Sequence, residues 1–377
     1  MSRSAAVAGR RARPRSRAAH QCARSRAQRT RFVDARPTLR YGDRKRTGER
    51  VTTIPPWRLS VAPMLDWTDS ACRQFHRRLS RHALLYSEMV TSAALVRGGA
   101  MHLLRFDPSE QPVALQLGGS DPAELAQAAR LGAEAGYGEI NLNVGCPSDR
   151  VQSGCFGAVL MKTPTLVGEC LAAMRAATEA EITVKCRLGV DDQDPEEALP
   201  ALLSAARDAG VARVVVHARK AWLQGLSPKE NREVPPLDYD LVARMIPAFP
   251  DLAICVNGGM GTLDEAQALL ARGFAGAMIG RAAYHRPAEI LGPADRLLFG
   301  ADTDPADPIQ VAADMEPVIA AHLARGGRLI GVTRHLLGLF AGQPGARHWR
   351  RALSEMPNGT LHDYRALVAG LTERLAA

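Results

Sequence analysis

Short apolar segments alternate along this chain with longer segments whose apolar residues recur every three to four positions. The short segments are rich in Val, Ile, Leu and Ala, which is typical of strands that are buried on both faces of a sheet. The eight predicted strands are Leu59–Ala62, Leu84–Glu88, Val113–Leu117, Glu139–Val144, Ile182–Cys186, Arg213–His217, Ala253–Val256 and Ala277–Ile279.

The segments between most of these strands have the length and the apolar spacing of amphipathic helices. Four of the predicted helices are Pro122–Ala135, Thr165–Thr178, Pro195–Ala209 and Leu263–Arg272. Buried strands that alternate with helices indicate parallel βα units, and eight such units predict a closed (β/α)8 TIM barrel over residues 56–304. An open doubly wound sheet is the competing architecture, but no GxGxxG follows the first strand.

Beyond about residue 305 the strand pattern stops and only helical patterns remain. We predict helices over residues 308–330, 331–341 and 361–376, with a basic segment at Arg347–Arg351. This region is predicted to be a small all-helical domain that covers residues 305–377.

The whole-chain charge of +9 does not describe the folded body of the protein. Residues 1–50 carry 16 Lys and Arg against 3 Asp and Glu, so of the 48 basic and 39 acidic residues the remainder carries 32 and 36. We expect residues 1–55 to be a disordered Arg-rich extension. Three explanations compete for this segment: a nucleic-acid-binding arm, a transit peptide, or an upstream extension from a wrongly chosen start codon. We favour the upstream extension, which would be dispensable.

The seven cysteines form no CxxC pair and show no Cys/His metal spacing. We therefore expect no disulfide framework, no structural metal and a reducing, cytoplasmic location. Hydrophobic residues make up 46% of the chain, but no apolar run approaches the length of a membrane span, so we expect a soluble protein with no membrane partner.

Polar and glycine-rich groups follow nearly every predicted strand. These groups are Pro63-Met64, Glu88-Met89, Gln116–Gly119, Asn143–Cys146, Lys185–Arg187, His217–Arg219, Asn257–Gly259 and Gly280-Arg281. Chemistry in a TIM barrel takes place at the C-terminal ends of the strands, so this clustering predicts an enzyme. Cys146 follows Asn143 in a Gly-Cys-Pro turn at that rim; it is either a placed proton donor or nucleophile, or a small residue that closes a tight turn.

Two further features predict a bound cofactor with a phosphate. Gly258-Gly259 and Gly280-Arg281 follow the last two strands, where barrels often bind phosphate through backbone N–H groups. Lys185 and His217 end consecutive strands, and a lysine in an apolar strand needs an anionic partner. The electron-rich edge of a reduced flavin fits this requirement, and Gln116 would contact the same ring. Taken singly, Lys185 could instead pair with a rim carboxylate and His217 could be a core histidine.

Four segments of the chain resemble the tRNA-dihydrouridine synthase family. Three of them are Val61–Asp69, Pro112–Ser120 and Glu139–Val151, and the fourth, His217–Tyr239, is similar to the A subfamily, which acts on uridines 20 and 20a of the tRNA D-loop. The similarity extends from about Ser60 to the end of the chain.

The resemblance implies an FMN cofactor, a tRNA substrate and NADPH or NADH as the reductant, with Cys146 as the general acid that protonates uracil C5. The implied FMN-binding residues are Pro63, Met64, Leu65, Gln116, Lys185, His217, Asn257, Gly258, Gly259, Gly280 and Arg281. The implied tRNA-binding residues are Asn143, Lys229, Arg232, Arg347 and Arg350.

Two other functions compete with this one. A flavin-dependent barrel that reduces a free pyrimidine or a small enone would share the cofactor site, but it would need neither the basic helical tail nor the long segment after His217. A non-enzymatic RNA-binding protein would have no use for Lys185 and the two glycine loops. A monomer is expected, because one tRNA for each chain requires no dimer.

Overall fold

The computed structural model describes residues 54–148, 151 and 154–376, and side chains as far as Leu371. The predicted N-terminal extension as far as residue 53 lies outside the described residues. So does Arg150, the basic neighbour of Cys146 in sequence.

Eight parallel strands close into a barrel in the order in which they occur along the chain. The strands are β1 (Leu59–Val61), β2 (Leu84–Thr91), β3 (Val113–Gly118), β4 (Glu139–Val144), β5 (Glu181–Cys186), β6 (Arg213–His217), β7 (Ala253–Asn257) and β8 (Gly276–Ile279). All eight predicted strands and the predicted TIM barrel are confirmed. The longest of these strands is β2, and its register shifts in the middle of the strand, between Tyr86 and Met89.

Helices follow the strands as the apolar spacing predicts. Those within the barrel are α1 (Ser70–Leu79), α2 (Ser92–Val96), α3 (Pro122–Glu134), α4 (Pro164–Ala177), α5 (Pro195–Asp208), α6 (Tyr239–Ala248) and α7 (Leu263–Ala271). The four helices predicted there are confirmed, each within one residue at both ends. Their starts have local causes: the side chain of Asp121 caps α3, and Thr262 and Glu265 form a capping box at α7.

The two faces of each strand meet different surroundings. On β4, the apolar residues Ile140, Leu142 and Val144 belong to the main hydrophobic core of the protein. The alternate residues Asn141 and Asn143 are buried as well, but they hydrogen-bond to side chains of neighbouring strands. A period of two along the strand therefore gives the barrel a polar interior beneath its C-terminal rim.

Only helices follow β8 in the described part of the chain. They are α8 (Arg281–His285), α9 (Pro287–Leu291), α10 (Ala294–Phe299), α11 (Pro308–Asp314), α12 (Glu316–Ala324), α13 (Ile330–Thr333), α14 (Ala346–Glu355) and α15 (Leu361–Ala376). None of the helices in the described residues is both long and apolar enough to cross a membrane.

Two of the C-terminal helix predictions were wrong in extent. The predicted helix 308–330 is two helices, because Pro317 lacks the backbone N–H that an uninterrupted helix requires there, and Gly326, with φ of +80°, follows the end of the second. The predicted helix 331–341 is reduced to α13 and a single 3-10 turn at Leu336–Gly338. The prediction for 361–376 is confirmed.

The C-terminal helices are joined to the barrel by polar contacts with α1 and its N-cap. The carboxylate of Asp69 accepts a hydrogen bond from Arg334 Nη2 at 2.7 Å and lies 3.1 Å from Nε2 of His335. Arg78 Nε donates to the carbonyl oxygen of Asp314 at 2.9 Å. Trp349 is fully buried, and its indole N–H donates to Leu336 O, so it is a core residue and not a surface for stacking on RNA.

Candidate active site

Strand register brings most of the predicted site residues together at the C-terminal end of the barrel. Asn143 pairs with Lys185 across β4 and β5, and His217 pairs with Asn257 across β6 and β7. Gln116, near the end of β3, accepts a hydrogen bond from Asn143 Nδ2 at 2.8 Å. The residues that the sequence assigns to one site therefore lie on adjacent strands of one rim.

The Cys146 turn is held in place by hydrogen bonds from three directions. Asn143 Oδ1 accepts from the backbone N–H groups of Gly145 and Cys146 at 3.1 and 3.0 Å. Arg187 Nε donates to Gly145 O at 2.9 Å, and Ala158 N donates to Cys146 O at 2.9 Å. The Cys146 side chain is half-buried, and its Sγ lies 3.4 Å from Ser148 Oγ. A fixed backbone with a partly accessible thiol supports a reactive cysteine over a purely structural one.

The rim next to Cys146 carries several positive charges. Burial lowers the pKa of Lys185 to about 8, with a smaller contribution from Arg187. Among the described residues no carboxylate pairs with Lys185. Burial also lowers the pKa of His217 well below its usual range, and the nearby cations add to this effect, so the ring is neutral. Its Nε2 is buried without a hydrogen-bond partner among the described residues.

The loop after β7 fits closely around the His217 ring. Gly258 has φ of +113°, and a Cβ atom there would lie 2.6 Å from His217 Cδ2. Gly259 has φ of +73°, and a Cβ there would overlap Leu237. Asn257 Nδ2 donates to Met278 O at 2.7 Å and so connects this loop to β8. Glycine is required at both positions, because only glycine combines this backbone conformation with so little space.

The loops after β1 and β8 meet on the other side of the rim. A Cβ on Gly280 would make an ordinary contact with Met64 Sδ at 3.6 Å. Pro63 and Met64 are half-buried, while Leu65 is 60% exposed at the tip of the turn. The guanidinium of Arg281 pairs with Glu233, so in this structure its charge is engaged with the segment that follows β6.

The long segment between β6 and α6 carries two of the predicted RNA-binding residues, Lys229 and Arg232, and both are exposed. Asn231, between them in space and sequence, is fully buried. Its amide accepts from Trp222 N at 2.7 Å and donates to Trp222 O and Leu226 O at 2.8 and 3.0 Å. This one side chain therefore holds the fold of the segment that displays the two cations.

Arg187 is a site residue to which the sequence analysis assigned no role. Besides Gly145 O, its guanidinium donates to Lys220 O and Asn231 O, both at 2.9 Å. It therefore connects the Cys146 turn to the segment that carries Lys229 and Arg232. The sequence shows only that an arginine follows Lys185 by two positions, since the carbonyl groups it joins are distant along the chain.

Arg347 and Arg350 lie apart from this cluster. Both are exposed on α14, the helix whose Trp349 and Leu353 are buried against the other C-terminal helices. They belong to the same compact unit as the barrel, but they make none of the hydrogen bonds or ion pairs found at the barrel rim.

The arrangement is suited to holding an anionic ligand beside a proton donor. Lys185, Arg187 and Arg232 all lie within electrostatic reach of Cys146. A flavin with a phosphate would engage three kinds of group that are present here: the ammonium of Lys185, which has no carboxylate partner among the described residues, a neutral imidazole with an orphaned nitrogen, and two glycine loops. In the described residues no group of three or more His, Cys, Asp or Glu side chains could hold a metal ion.

The chain is similar to known proteins of one family over most of its length. The family described as "Dihydrouridine synthase (Dus)" matches residues 60–366 of the chain. The tRNA-dihydrouridine(20/20a) synthase of Escherichia coli (strain K12) is 54% identical over 299 residues, covering 79% of this chain and 86% of that one. The protein of the same name from Salmonella typhi is 52% identical over 305 residues, covering 81% and 91%. A solved structure of an old yellow enzyme homologue from Zymomonas mobilis superposes with a TM-score of 0.47 at 12% identity, covering 67% of this chain and 91% of that one.

Proposed function

This chain belongs to the dihydrouridine synthase family, and we propose that it reduces uridines 20 and 20a of tRNA to 5,6-dihydrouridine. The family match covers most of the chain, and the curated relatives carry a name that states this substrate and these positions. The observation that carries the proposal is the juxtaposition of a held cysteine with an uncompensated positive cluster at the C-terminal rim of the barrel.

The residues at the rim fit FMN as the cofactor. The orphaned Nε2 of His217 lies beside the Gly258-Gly259 loop, which has no room for side chains, and Lys185 has no carboxylate partner among the described residues. We assign Gln116, Lys185 and His217 to contacts with the flavin ring, and the turn Pro63–Leu65 to contacts with the edge of that ring. The phosphate is assigned to Asn257–Gly259 and Gly280-Arg281, which requires Arg281 to exchange its contact with Glu233 for the phosphate. FMN held there and reduced by NADPH or NADH would supply the hydride for uracil C6.

The proton for uracil C5 is assigned to the Cys146 thiol. Asn143 holds the backbone of the turn, so the thiol is presented from a fixed position. Release of the proton leaves a thiolate, and the charges of Lys185, Arg187 and Arg232 within electrostatic reach stabilise that product. General acid catalysis of this kind typically contributes 10²–10⁴-fold to a rate.

We assign the binding of tRNA to the exposed cations around the rim and on the C-terminal helices. A uridine in folded tRNA must leave its stack to enter the barrel mouth. Lys229 and Arg232 lie on a segment that Arg187 connects to the Cys146 turn, so a phosphate contact there positions the base for reaction. Arg347 and Arg350 on α14 extend the contact surface, and one chain suffices for one tRNA. An enzyme for a free pyrimidine would have no use for these groups.

The test is to map dihydrouridine in the tRNA of cells that lack this protein. We expect dihydrouridine to be lost at positions 20 and 20a and restored by the wild-type gene. The purified protein should show the yellow absorbance of a flavin and should lose it on denaturation. Unchanged dihydrouridine at both positions would overturn the proposed substrate, and a colourless protein that cannot be reconstituted with FMN would overturn the proposed cofactor.

A further inference from the structure

A line of hydrogen-bonded side chains crosses the barrel interior from its N-terminal end to the Cys146 turn. Its five members come from three neighbouring strands, and we refer to them as the interior chain. They are Glu139, Thr183, Asn141, Gln116 and Asn143. Each is buried, with Asn143 the most exposed at 8%. Buried polar side chains of this kind are costly unless every member is satisfied.

The hydrogen bonds of the interior chain are continuous. Asn143 Nδ2 donates to Gln116 Oε1 at 2.8 Å, and Gln116 Nε2 donates to Asn141 Oδ1 at 2.8 Å. Asn141 Nδ2 then donates to Thr183 Oγ1 at 2.9 Å. Thr183 Oγ1 donates to Glu139 Oε1 at 2.7 Å. Three amides and one hydroxyl thus link a carboxylate at one end of the barrel to the turn at the other.

The upper end of the interior chain sets the orientation of every amide in it. Two backbone N–H groups, of Gly145 and Cys146, point at one terminal atom of Asn143, so that atom must be the oxygen. The nitrogen of Asn143 therefore faces Gln116, which must present its own oxygen. The nitrogen of Gln116 in turn faces Asn141, which must also present its oxygen.

The lower end of the interior chain independently demands the same orientation. The carboxylate of Glu139 accepts from Tyr86 OH and from Arg213 Nη2, both at 2.6 Å, and can offer Thr183 only an acceptor. The single hydroxyl hydrogen of Thr183 is then used on Glu139. Its oxygen is left to accept from Asn141, which must present its nitrogen.

We propose that Thr183 and Asn141 are positioning residues that hold Gln116 and Asn143, from below, in the amide orientations that the Cys146 turn demands from above. The inference rests on the proposed function in one respect, since that function assigns Gln116 to the flavin and Asn143 to the turn that holds the acid. Neither Thr183 nor Asn141 contacts the turn itself. Their effect passes through the amides that lie above them.

Thr183→Val tests this inference, because valine has nearly the shape of threonine but removes the hydroxyl that connects Asn141 to Glu139. Asn141 Nδ2 then loses its acceptor, so the amides of Asn141 and Gln116 are held only from the Cys146 turn and become more mobile. We expect FMN titrated into the apoprotein to bind about tenfold more weakly, with a comparable fall in kcat and little change in the KM for tRNA. Side-chain amide hydrogens of Asn141 and Gln116, observed by NMR in the apoprotein, should exchange faster.

Two variants separate positioning from general damage to a buried site. Thr183→Ser keeps the hydroxyl and should restore FMN affinity and slow amide exchange. Thr333→Val removes another buried threonine hydroxyl, which donates to Leu329 O within the C-terminal helices, and should leave both readouts unchanged.

The outcomes distinguish this inference from the proposed function. If Thr183→Val keeps wild-type amide exchange and FMN affinity while the wild type reduces uridine, the inference is wrong and the function stands. If the wild type neither binds FMN nor reduces uridine, but Thr183→Val still speeds amide exchange and Thr183→Ser does not, the function is wrong and the orienting role stands. A loss of FMN affinity in Thr183→Ser equal to that in Thr183→Val would overturn the role of the hydroxyl.

Discussion

The two ends of the barrel treat buried charge in opposite ways. At the N-terminal end, Arg213 forms ion pairs with Glu139 at 2.6 Å and with Glu181 at 3.1 Å, and the hydroxyl of Tyr86 adds a hydrogen bond. At the C-terminal end, among the described residues, the half-buried Lys185 has no carboxylate partner and the buried His217 keeps an unpartnered nitrogen. The N-terminal end is therefore electrostatically complete, and we call it the closed end. The C-terminal end is not, and we call it the open end.

This difference separates stability from function within a single fold. A paired and fully hydrogen-bonded cluster contributes to the folded state and leaves nothing for a ligand. An uncompensated cluster weakens the folded state, and natural proteins retain such clusters mainly where a ligand completes them. The barrel interior connects the two ends through the hydrogen bonds between Glu139 and Asn143.

The largest effect is expected at the open end, for Cys146→Ala. Loss of the proton donor should lower the rate of uridine reduction by about 10²–10⁴-fold, while FMN and tRNA still bind. The thermal midpoint should change little, since the thiol is half-buried and its side-chain partner among the described residues is Ser148. Single-turnover reduction of tRNA by the reduced enzyme measures the rate, and Cys155→Ala, at an exposed cysteine beyond the turn, is the matched control. A wild-type rate in Cys146→Ala would remove Cys146 from the reaction.

A substitution at the closed end should lower the stability of the protein, in contrast to Cys146→Ala. Arg213→Met leaves Glu139 buried without its cation, and we expect the free energy of unfolding to fall by about 3–5 kcal/mol. Denaturant unfolding followed by circular dichroism measures the loss. Arg97→Met, which removes an exposed cation from its pair with the half-buried Glu124, should cost less than about 1 kcal/mol. Equal costs for Arg213→Met and Arg97→Met would contradict the contrast between the two ends.

Lys185→Met places the same kind of change at the open end. In the absence of cofactor we expect a thermal midpoint equal to or above that of the wild type, because a partly buried ammonium without a carboxylate partner is removed. FMN affinity should fall by at least tenfold, since the same ammonium is assigned to the flavin ring. Differential scanning fluorimetry with and without added FMN reads both effects. Lys162→Met, at an exposed pair with Asp191, should alter neither. A large loss of apoprotein stability in Lys185→Met would show that this lysine has a structural partner.

The sequence predicted the barrel and most of the rim, because both depend on local patterns. Apolar runs mark the strands, and residues that follow a strand must lie at its C-terminal end, so Lys185 and His217 could be placed without coordinates. The roles of Arg187 and Thr183 could not be predicted in this way. Arg187 joins three carbonyl groups from two separate loops. Thr183 acts through the amides of Asn141 and Gln116, which lie on other strands. The C-terminal helices were predicted less well, since their apolar spacing continues through Pro317 and Gly326 although the backbone cannot.

The smallest expected effect is a pH dependence that only the open end should show. The pKa of Lys185 is about 8 in the folded apoprotein and 10.5 when unperturbed, so between these values the unfolded chain binds more protons than the folded one. The folded state therefore gains stability as pH rises from about 8 to 10.5. Below about pH 8, Lys185 is charged in both states, and the full free-energy cost of desolvating its charge in the folded state remains. Other groups titrate in this window, and the difference between wild type and Lys185→Met at each pH isolates Lys185. We expect that difference, measured by denaturant unfolding, to shrink as pH rises and to vanish near pH 10.5. Saturation with FMN should make this stability difference less dependent on pH, because an anionic partner raises the pKa of Lys185 towards its ordinary value. A difference that is constant with pH in the apoprotein would mean that Lys185 is already paired.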